Sequence, residues 1–188
     1  MNHALAAPVP AAMSAYPREW ERRETLADGM RVFIRPLKPV DAALYPEFFT
    51  QVTEEDSRLR FFSPIRELSA ATIQKFVDID YERVMAFIAL DEETGKMLGV
   101  SRLHCDRFHK HGEYAVLVRS DLKGRGLGWL LMQRVVEWAR STGLERIHGQ
   151  VLAYNTTMLR MCGELGFDIA DDPSERDIKV VTLQLNKA

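Results

Sequence analysis

The feature of this sequence that most restricts its fold is a glycine-rich loop between an apolar strand and an amphipathic helix. Residues 113–118 (EYAVLV) predict a buried strand, and apolar residues recur at helical spacing over 126–142. Gly124, Gly126 and Gly128 lie between the strand and the body of the helix. Glycine lets the backbone approach a ligand closely, and the first amides of a helix lack intrahelical partners. The unit therefore predicts an anion site, such as one for a diphosphate.

The spacing of these glycines excludes the two most familiar nucleotide loops. A P-loop requires G-x-x-x-x-G-K-[ST], and a dinucleotide fold requires G-x-G-x-x-G with an acidic residue further on. The pattern Gly124-x-Gly126-x-Gly128 satisfies neither. A turn that only allows close packing of the helix remains an alternative, so the surrounding sequence has to decide.

The rest of the chain alternates short strands with helices. The patterns predict strands over 30–35, 84–90, 96–104, 113–118, 147–152, 167–170 and 181–185. They predict helices over 41–50, 54–62, 72–80, 126–142 and 155–165. A turn-rich linker, DEETG, joins the second and third strands, so these two strands should form a hairpin.

Length and composition favour one domain. The 188 residues, 46% of them apolar, are enough for one continuous core. An Ala/Pro-rich stretch over 1–19 predicts a flexible lead, followed by a single domain over 20–188. The count of 25 basic against 27 acidic residues gives no broad positive field, so we expect no nucleic-acid partner.

The sequence also predicts a cytoplasmic protein with no membrane partner. The longest apolar run, 84–90, is far shorter than the roughly 20 residues that cross a bilayer. The first residues lack the basic and apolar regions of a secretory signal. Cys105 and Cys162 are the only cysteines and form no disulfide framework, which favours a reducing compartment.

Two ordered motifs resemble those of the GNAT acetyltransferase superfamily. The loop matches [QR]-x-x-G-x-[GA] as Lys123-x-x-Gly126-x-Gly128, with lysine in place of the usual Gln or Arg. Asn155, a helix and the closing 165–167 (LGF) match the second signature. The two motifs occur in the family's order and separation, which makes the resemblance much more specific than the loop alone.

Further segments resemble the catalytic domain of bacterial Pat-type protein lysine acetyltransferases. They are 57–63, 113–116 and 177–185, and the resemblance covers about 16–185. It implies an α/β (α+β) fold with a mixed, mainly antiparallel central sheet flanked by helices. The fourth and fifth predicted strands, 113–118 and 147–152, should splay apart to form the cleft for acetyl-CoA.

The resemblance also implies the co-substrate, its contacts and the acceptor. Acetyl-CoA would donate its acetyl group directly to an amine, here the lysine of a protein such as an AMP-forming acyl-CoA synthetase. The strand backbone would bind the pantetheine arm, the loop would hold the diphosphate, and Asn155 would contact the cofactor. The implied cofactor-binding residues are Val116, Leu117, Val118, Lys123, Gly124, Arg125, Gly126, Leu127, Gly128 and Asn155.

Glu113 is the predicted catalytic residue. A lysine amine has a pKa of about 10.4, so acetyl transfer needs a base, and Glu113 matches the position of the family's catalytic glutamate. The alternative is a solvated carboxylate at a strand end. Cys162 occupies the position where the superfamily commonly has a tyrosine acid, and its surroundings favour a core role instead.

Other readings of the function stay open at the level of sequence. A small amine would require an acidic pocket, which Asp78, Asp80 and Glu82 could supply. A module that binds acetyl-CoA without turnover is a third possibility. His104 and Cys105 lie close to two further histidines, but neighbouring strand residues face opposite sides, so we predict no metal site.

Overall fold

The computed structural model describes residues 15–185, so residues 1–14 of the predicted lead lie outside the described residues. Within this range the chain forms eight strands and five α-helices. The strands are β1 (Arg22–Thr25), β2 (Arg31–Pro36), β3 (Val84–Asp91), β4 (Met97–Cys105), β5 (His111–Val118), β6 (Arg146–Leu152), β7 (Asp168–Asp171) and β8 (Ile178–Gln184). The helices are α1 (Tyr45–Thr50), α2 (Glu54–Phe61), α3 (Ala70–Val77), α4 (Leu127–Ser141) and α5 (Thr156–Glu164).

All eight strands join one sheet in the order β1-β2-β3-β4-β5-β6-β8-β7. Every neighbouring pair is antiparallel except β5 and β6, which run parallel. This arrangement confirms the predicted mixed, mainly antiparallel sheet. The parallel ladder is only three pairs long and ends where Glu113 faces His148. Beyond that pair the two strands separate, as predicted for the strands over 113–118 and 147–152.

The core lies on both faces of the central strands. Residues 85–89 of β3 are all fully buried, as expected for a strand with both faces covered. Helix α4 packs across β3, β4 and β5 with its apolar face. The Ser101 hydroxyl of β4 donates to the Leu131 carbonyl of α4 at 3.0 Å, which pins the helix to the sheet. No helix within 15–185 is both long and apolar enough to cross a membrane.

The predicted helix over 41–50 is divided in the structure. A 3-10 helix covers Pro39–Leu44, and α1 begins only at Tyr45. Proline fits the first turn of a helix but not its interior, so Pro46 sets this boundary. Asp41, the first residue of the predicted helix, lies inside the 3-10 helix. Asp41 is buried and accepts two hydrogen bonds from Arg35, at 2.7 and 2.8 Å. It also accepts a hydrogen bond from the Lys38 backbone amide.

The N-terminal part of the described chain packs on the sheet. Residues Arg18–Trp20 form a 3-10 turn, and the Tyr16 ring meets Tyr81 edge to face at 5.9 Å. The Tyr16 hydroxyl donates to Glu21 at 2.9 Å. Contacts with the domain therefore extend back to Tyr16, and the division of the chain into a lead and one domain stays a prediction.

The Tyr114 ring lies where β5 and β6 separate. It packs so closely on Gly149 of β6 that a Cβ there would lie 2.5 Å from a ring carbon. Its hydroxyl group is 3.2 Å from the Cys162 sulfur on α5, and its ring meets Phe167 edge to face at 5.5 Å. Tyr114 thus ties β5, β6 and α5 together at the start of the gap, and only glycine fits opposite it.

We expect Gly149→Ala to destabilise the protein by about 1–3 kcal/mol, because the new methyl group overlaps the Tyr114 ring. Urea unfolding of Gly149→Ala, Tyr114→Leu and the double variant measures this. The double variant should lose less stability than the sum of the two single variants, because the ring that clashes is gone. Strictly additive losses would contradict the contact.

Candidate active site

A cleft of about 750 Å³ opens between the separating strands and continues over the start of α4. Its size is in the range of small-molecule and cofactor sites, about 300–1,000 Å³. Residues 114–118 of β5 line it, and within the described chain no strand pairs with β5 on this side beyond Glu113. Backbone N–H and C=O groups along this free edge are available to an extended ligand.

The loop before α4 presents its backbone to the same cleft. Gly124 and Gly126 have φ values of +79° and +87°, a region that favours glycine. Gly126 is the N-cap of α4, and its carbonyl accepts the first helical hydrogen bond, from the Leu130 amide at 3.1 Å. The amides before Leu130 precede that bond and carry the positive end of the helix dipole. This is the geometry of an anion site.

The two basic side chains of the loop already have carboxylate partners. Lys123 pairs with Asp56 of α2, which also accepts from the Ser120 hydroxyl at 2.5 Å. Burial opposes ionisation of Asp56, but these hydrogen bonds lower its pKa overall. Arg125 pairs with Asp28, and its side chain does not line the cleft. Backbone amides therefore dominate the attraction for an anion at the helix start.

The remaining predicted cofactor residues fall into two groups. Val116, Leu117, Val118, Lys123, Gly124, Gly126, Gly128 and Asn155 all line the cleft. Leu127 is only 1% exposed and belongs to the core, and it does not line the cleft. Asn155 is the N-cap of α5, where its Oδ1 atom accepts the Met158 amide at 3.2 Å. Its side-chain NH₂ group is the part available to a ligand.

Glu113 is an exposed residue of the cleft wall at the point where β5 leaves β6. It lies opposite His104 in the β4–β5 ladder, and Ala115 lies opposite Arg102. Directly paired residues share a face of the sheet, so all four are on one face. Tyr114 is on the opposite face. With a rise of about 3.4 Å per residue, Val118 lies about 17 Å beyond Glu113 along the strand.

Several residues at or near the Glu113 end of the cleft are not among the predicted catalytic and cofactor-binding residues. Arg60 of α2 and Arg102 of β4 line the Glu113 end, together with His104. His148 faces Glu113 across the parallel ladder. Burial lowers the pKa of His148, although the Glu113 charge opposes this shift. The signal that could have located His104 and Arg102 is the alternation of side chains along the β4–β5 hairpin.

The acidic pocket suggested for a small amine is not brought to the cleft. None of Asp78, Asp80 and Glu82 lines it. Asp80 instead accepts the backbone amides of the following turn, including Val84 at 2.9 Å, and these bonds lower its pKa against the effect of burial. Among residues 15–185 no three His, Cys, Asp or Glu side chains cluster as metal ligands.

The Cys162 side chain is fully buried behind Tyr114, and burial raises the pKa of its thiol. Burial likewise raises the pKa of the Tyr114 hydroxyl. Cys162 does not line the cleft, which supports its predicted role as a core residue. The arrangement as a whole pairs an anion site at one end of a strand edge with an exposed carboxylate at the other.

Comparison with known proteins agrees with this geometry. Residues 44–167 match the model of the acetyltransferase (GNAT) family. An acetyltransferase of Pseudomonas aeruginosa is 34% identical over 154 residues, 81% of this chain and 83% of that protein. A second relative in the same species, an L-methionine sulfoximine/L-methionine sulfone acetyltransferase, is 36% identical over 104 residues, 53% of this chain and 60% of that protein.

The crystal structure of the GNAT domain of S. lividans PAT superimposes with a TM-score of 0.84 at 26% identity. The match covers 91% of this chain and 100% of that domain. It confirms the resemblance to Pat-type catalytic domains and the predicted fold class. The chain therefore belongs to the acetyltransferase (GNAT) family.

Proposed function

We propose that this protein is an acetyl-CoA-dependent N-acetyltransferase in which Glu113 is the general base and the acceptor is a protein lysine. The observation that carries the proposal is the position of Glu113. Its carboxylate stands at the head of a free strand edge whose far end leads to the open N-terminus of α4. The unpaired edge of β5 thus runs from a proton acceptor to an anion site.

The residues present fit acetyl-CoA. The diphosphate would bind the amides of 124–128, and the pantetheine arm would pair with the free edge of β5 at Val116–Val118. Asn155 would donate from its side-chain NH₂ group. Acetyl-CoA supplies the acetyl group as a thioester, and its thiol has a pKa near that of cysteine, about 8.5, so no dedicated acid is needed for release.

Glu113 would remove a proton from the acceptor amine, directly or through one water molecule, as the amine attacks the thioester carbonyl. The exposure of Glu113 favours this, because an acceptor can reach it from solvent. An N–H group of β5 near Val116 would stabilise the negative charge that develops on the carbonyl oxygen. His148 would stay neutral beside Glu113, because burial lowers the pKa of its ring.

The resemblance to Pat-type enzymes supports a protein lysine as the acceptor, with an AMP-forming acyl-CoA synthetase as the first partner to test. A small amine is the second candidate. It is favoured by the relative that is named for acetylation of L-methionine sulfoximine and sulfone. A cytoplasmic location belongs to the same proposal, and the two cysteines are both buried free thiols.

Glu113→Gln should reduce kcat by about 100-fold to 10,000-fold at neutral pH, because the amine then keeps its proton. The deficit should shrink as the pH approaches the pKa of the lysine amine, about 10.4, where free amine forms without a base. A pH series of initial rates measures both effects. The control is Asp168→Asn, which also replaces an exposed carboxylate by its amide, on β7. An unchanged kcat in Glu113→Gln would remove Glu113 as the base.

Gly128→Val should raise the Kd for acetyl-CoA by about tenfold, the loss of one charge-assisted hydrogen bond, because a branched side chain blocks close approach to the helix start, where the family pattern has only Gly or Ala. The fold should tolerate the change, since the new Cβ lies 3.7 Å from Val118, an ordinary contact. Calorimetric titration and thermal unfolding measure binding and stability.

The matched control for this variant is Gly163→Val on α5, where a new Cβ has no neighbour within 4 Å. Both variants exchange glycine for valine in a helix and should change the stability by less than about 1 kcal/mol. Only Gly128→Val should lose affinity. Equal affinity in both variants would place the diphosphate elsewhere.

Labelled acetyl-CoA distinguishes the acceptor classes when it is supplied with acyl-CoA synthetases and with a panel of small amines. We expect label on a synthetase lysine, and its loss in Glu113→Gln. Label on small amines alone would favour the second candidate. Tight acetyl-CoA binding with no transfer to any acceptor would indicate a binding module and contradict the proposed function.

A further inference from the structure

Two guanidinium groups at the Glu113 end of the cleft have no carboxylate partner. Arg60 on α2 and Arg102 on β4 both line the cleft. Within residues 15–185 neither takes part in an ion pair, whereas Lys123 and Arg125 at the other end both do. The positive charge that is free for a ligand is therefore concentrated near Glu113 and not at the predicted diphosphate site.

Aromatic rings hold both groups in place. The Arg60 guanidinium carbon lies 4.7 Å from the centre of the Phe61 ring, and that of Arg102 lies 5.9 Å from the Phe76 ring. The two rings stack on each other at 6.3 Å with an interplanar angle of 12°. Arg102 also donates a hydrogen bond to the Phe76 carbonyl at the end of α3. Each guanidinium group thus has a defined contact with an aromatic ring.

This arrangement is electrostatically unfavourable without a ligand. Burial lowers the pKa of Arg60, and the charge of Arg102 lowers it further. Burial also lowers the pKa of Arg102, which Tyr45 and Asp78 only partly offset. The Glu113 carboxylate raises the pKa of Arg60 in part, although the two side chains are too far apart to form an ion pair. Partly desolvated positive charges of this kind gain most from a hydrogen-bonded anion.

We propose that the acceptor carries a carboxylate near its amine, and that this carboxylate binds to Arg60 and Arg102 while the amine faces Glu113. The inference rests on the proposed function and specifies its substrate class. Arginine suits the role because its planar donors match a carboxylate. The carboxylate could belong to a free amino acid or to an acidic side chain beside a lysine in a protein.

Acceptors that keep or lose this carboxylate test the inference, and comparing each variant with wild type cancels the difference in amine pKa within a pair. Leucine is compared with leucinamide, and an N-terminally blocked Lys-Glu peptide with its Lys-Gln counterpart. The readout is the ratio of kcat/KM for the charged member over its neutral partner, in wild type, Arg60→Gln and Arg102→Gln. Arg58→Gln is the control, because Arg58 is an exposed arginine on the same helix that does not line the cleft.

We expect a ratio of about tenfold or more in wild type and Arg58→Gln, and a fall of about tenfold in each of the other two variants. A preference for the charged member in the amino acid pair alone would identify a free amino acid as the acceptor. A preference in the peptide pair alone would identify a protein lysine beside an acidic residue. Ratios near one in wild type, or an unchanged ratio in Arg60→Gln, would overturn the inference.

Failure of the proposed function is distinguishable from failure of this inference. If no amine is acetylated, the proposed function fails. The carboxylate site can then still be tested by itself, by titrating the protein with glutarate, a dicarboxylate without an amine, in the presence of CoA. Weaker glutarate binding by Arg60→Gln than by Arg58→Gln would support the carboxylate site. Equal binding by the two variants would overturn it.

Discussion

The separation of β5 from β6 after the Glu113–His148 pair is the constraint on which the rest of the site depends. A ladder that continued would satisfy the backbone of 114–118 and close the cleft. The Tyr114 ring, packed on Gly149 and hydrogen-bonded to Cys162, occupies the place where the two strands part. One buried tyrosine thus helps to keep a strand edge unpaired inside a single continuous sheet.

The charges are distributed unevenly along this edge. At the start of α4 the basic side chains are paired with Asp56 and Asp28, so an anion there meets mainly backbone amides and the helix dipole. Toward the Glu113 end of the strand, Arg60 and Arg102 have no ion-pair partner within the described chain and lie near an exposed glutamate. The first end suits a diphosphate that must also leave, and the second suits discrimination among acceptors.

Much of the fold was predictable because its signals are local. The glycine loop, the α4 periodicity and the hairpin over 84–104 each depend on neighbouring residues, and all are found in the structure. The resemblance supplied the strand splay, which no local pattern encodes. The pairing of Arg125 with Asp28 and the convergence of Arg60 on Arg102 were not predictable, because partners distant in sequence decide them. The split of the helix at Pro46 differs from these, because its cause is the proline itself and is therefore local.

A crystal structure of the protein with acetyl-CoA tests the central claim most directly. The predicted result has diphosphate oxygens about 3 Å from the amides of 124–128 and the pantetheine arm paired with β5. The thioester should then lie near Val116, with Glu113 within reach of an amine that attacks it. A cofactor bound outside the gap, or a β5–β6 ladder extended beyond Glu113 and His148, would contradict the proposed site.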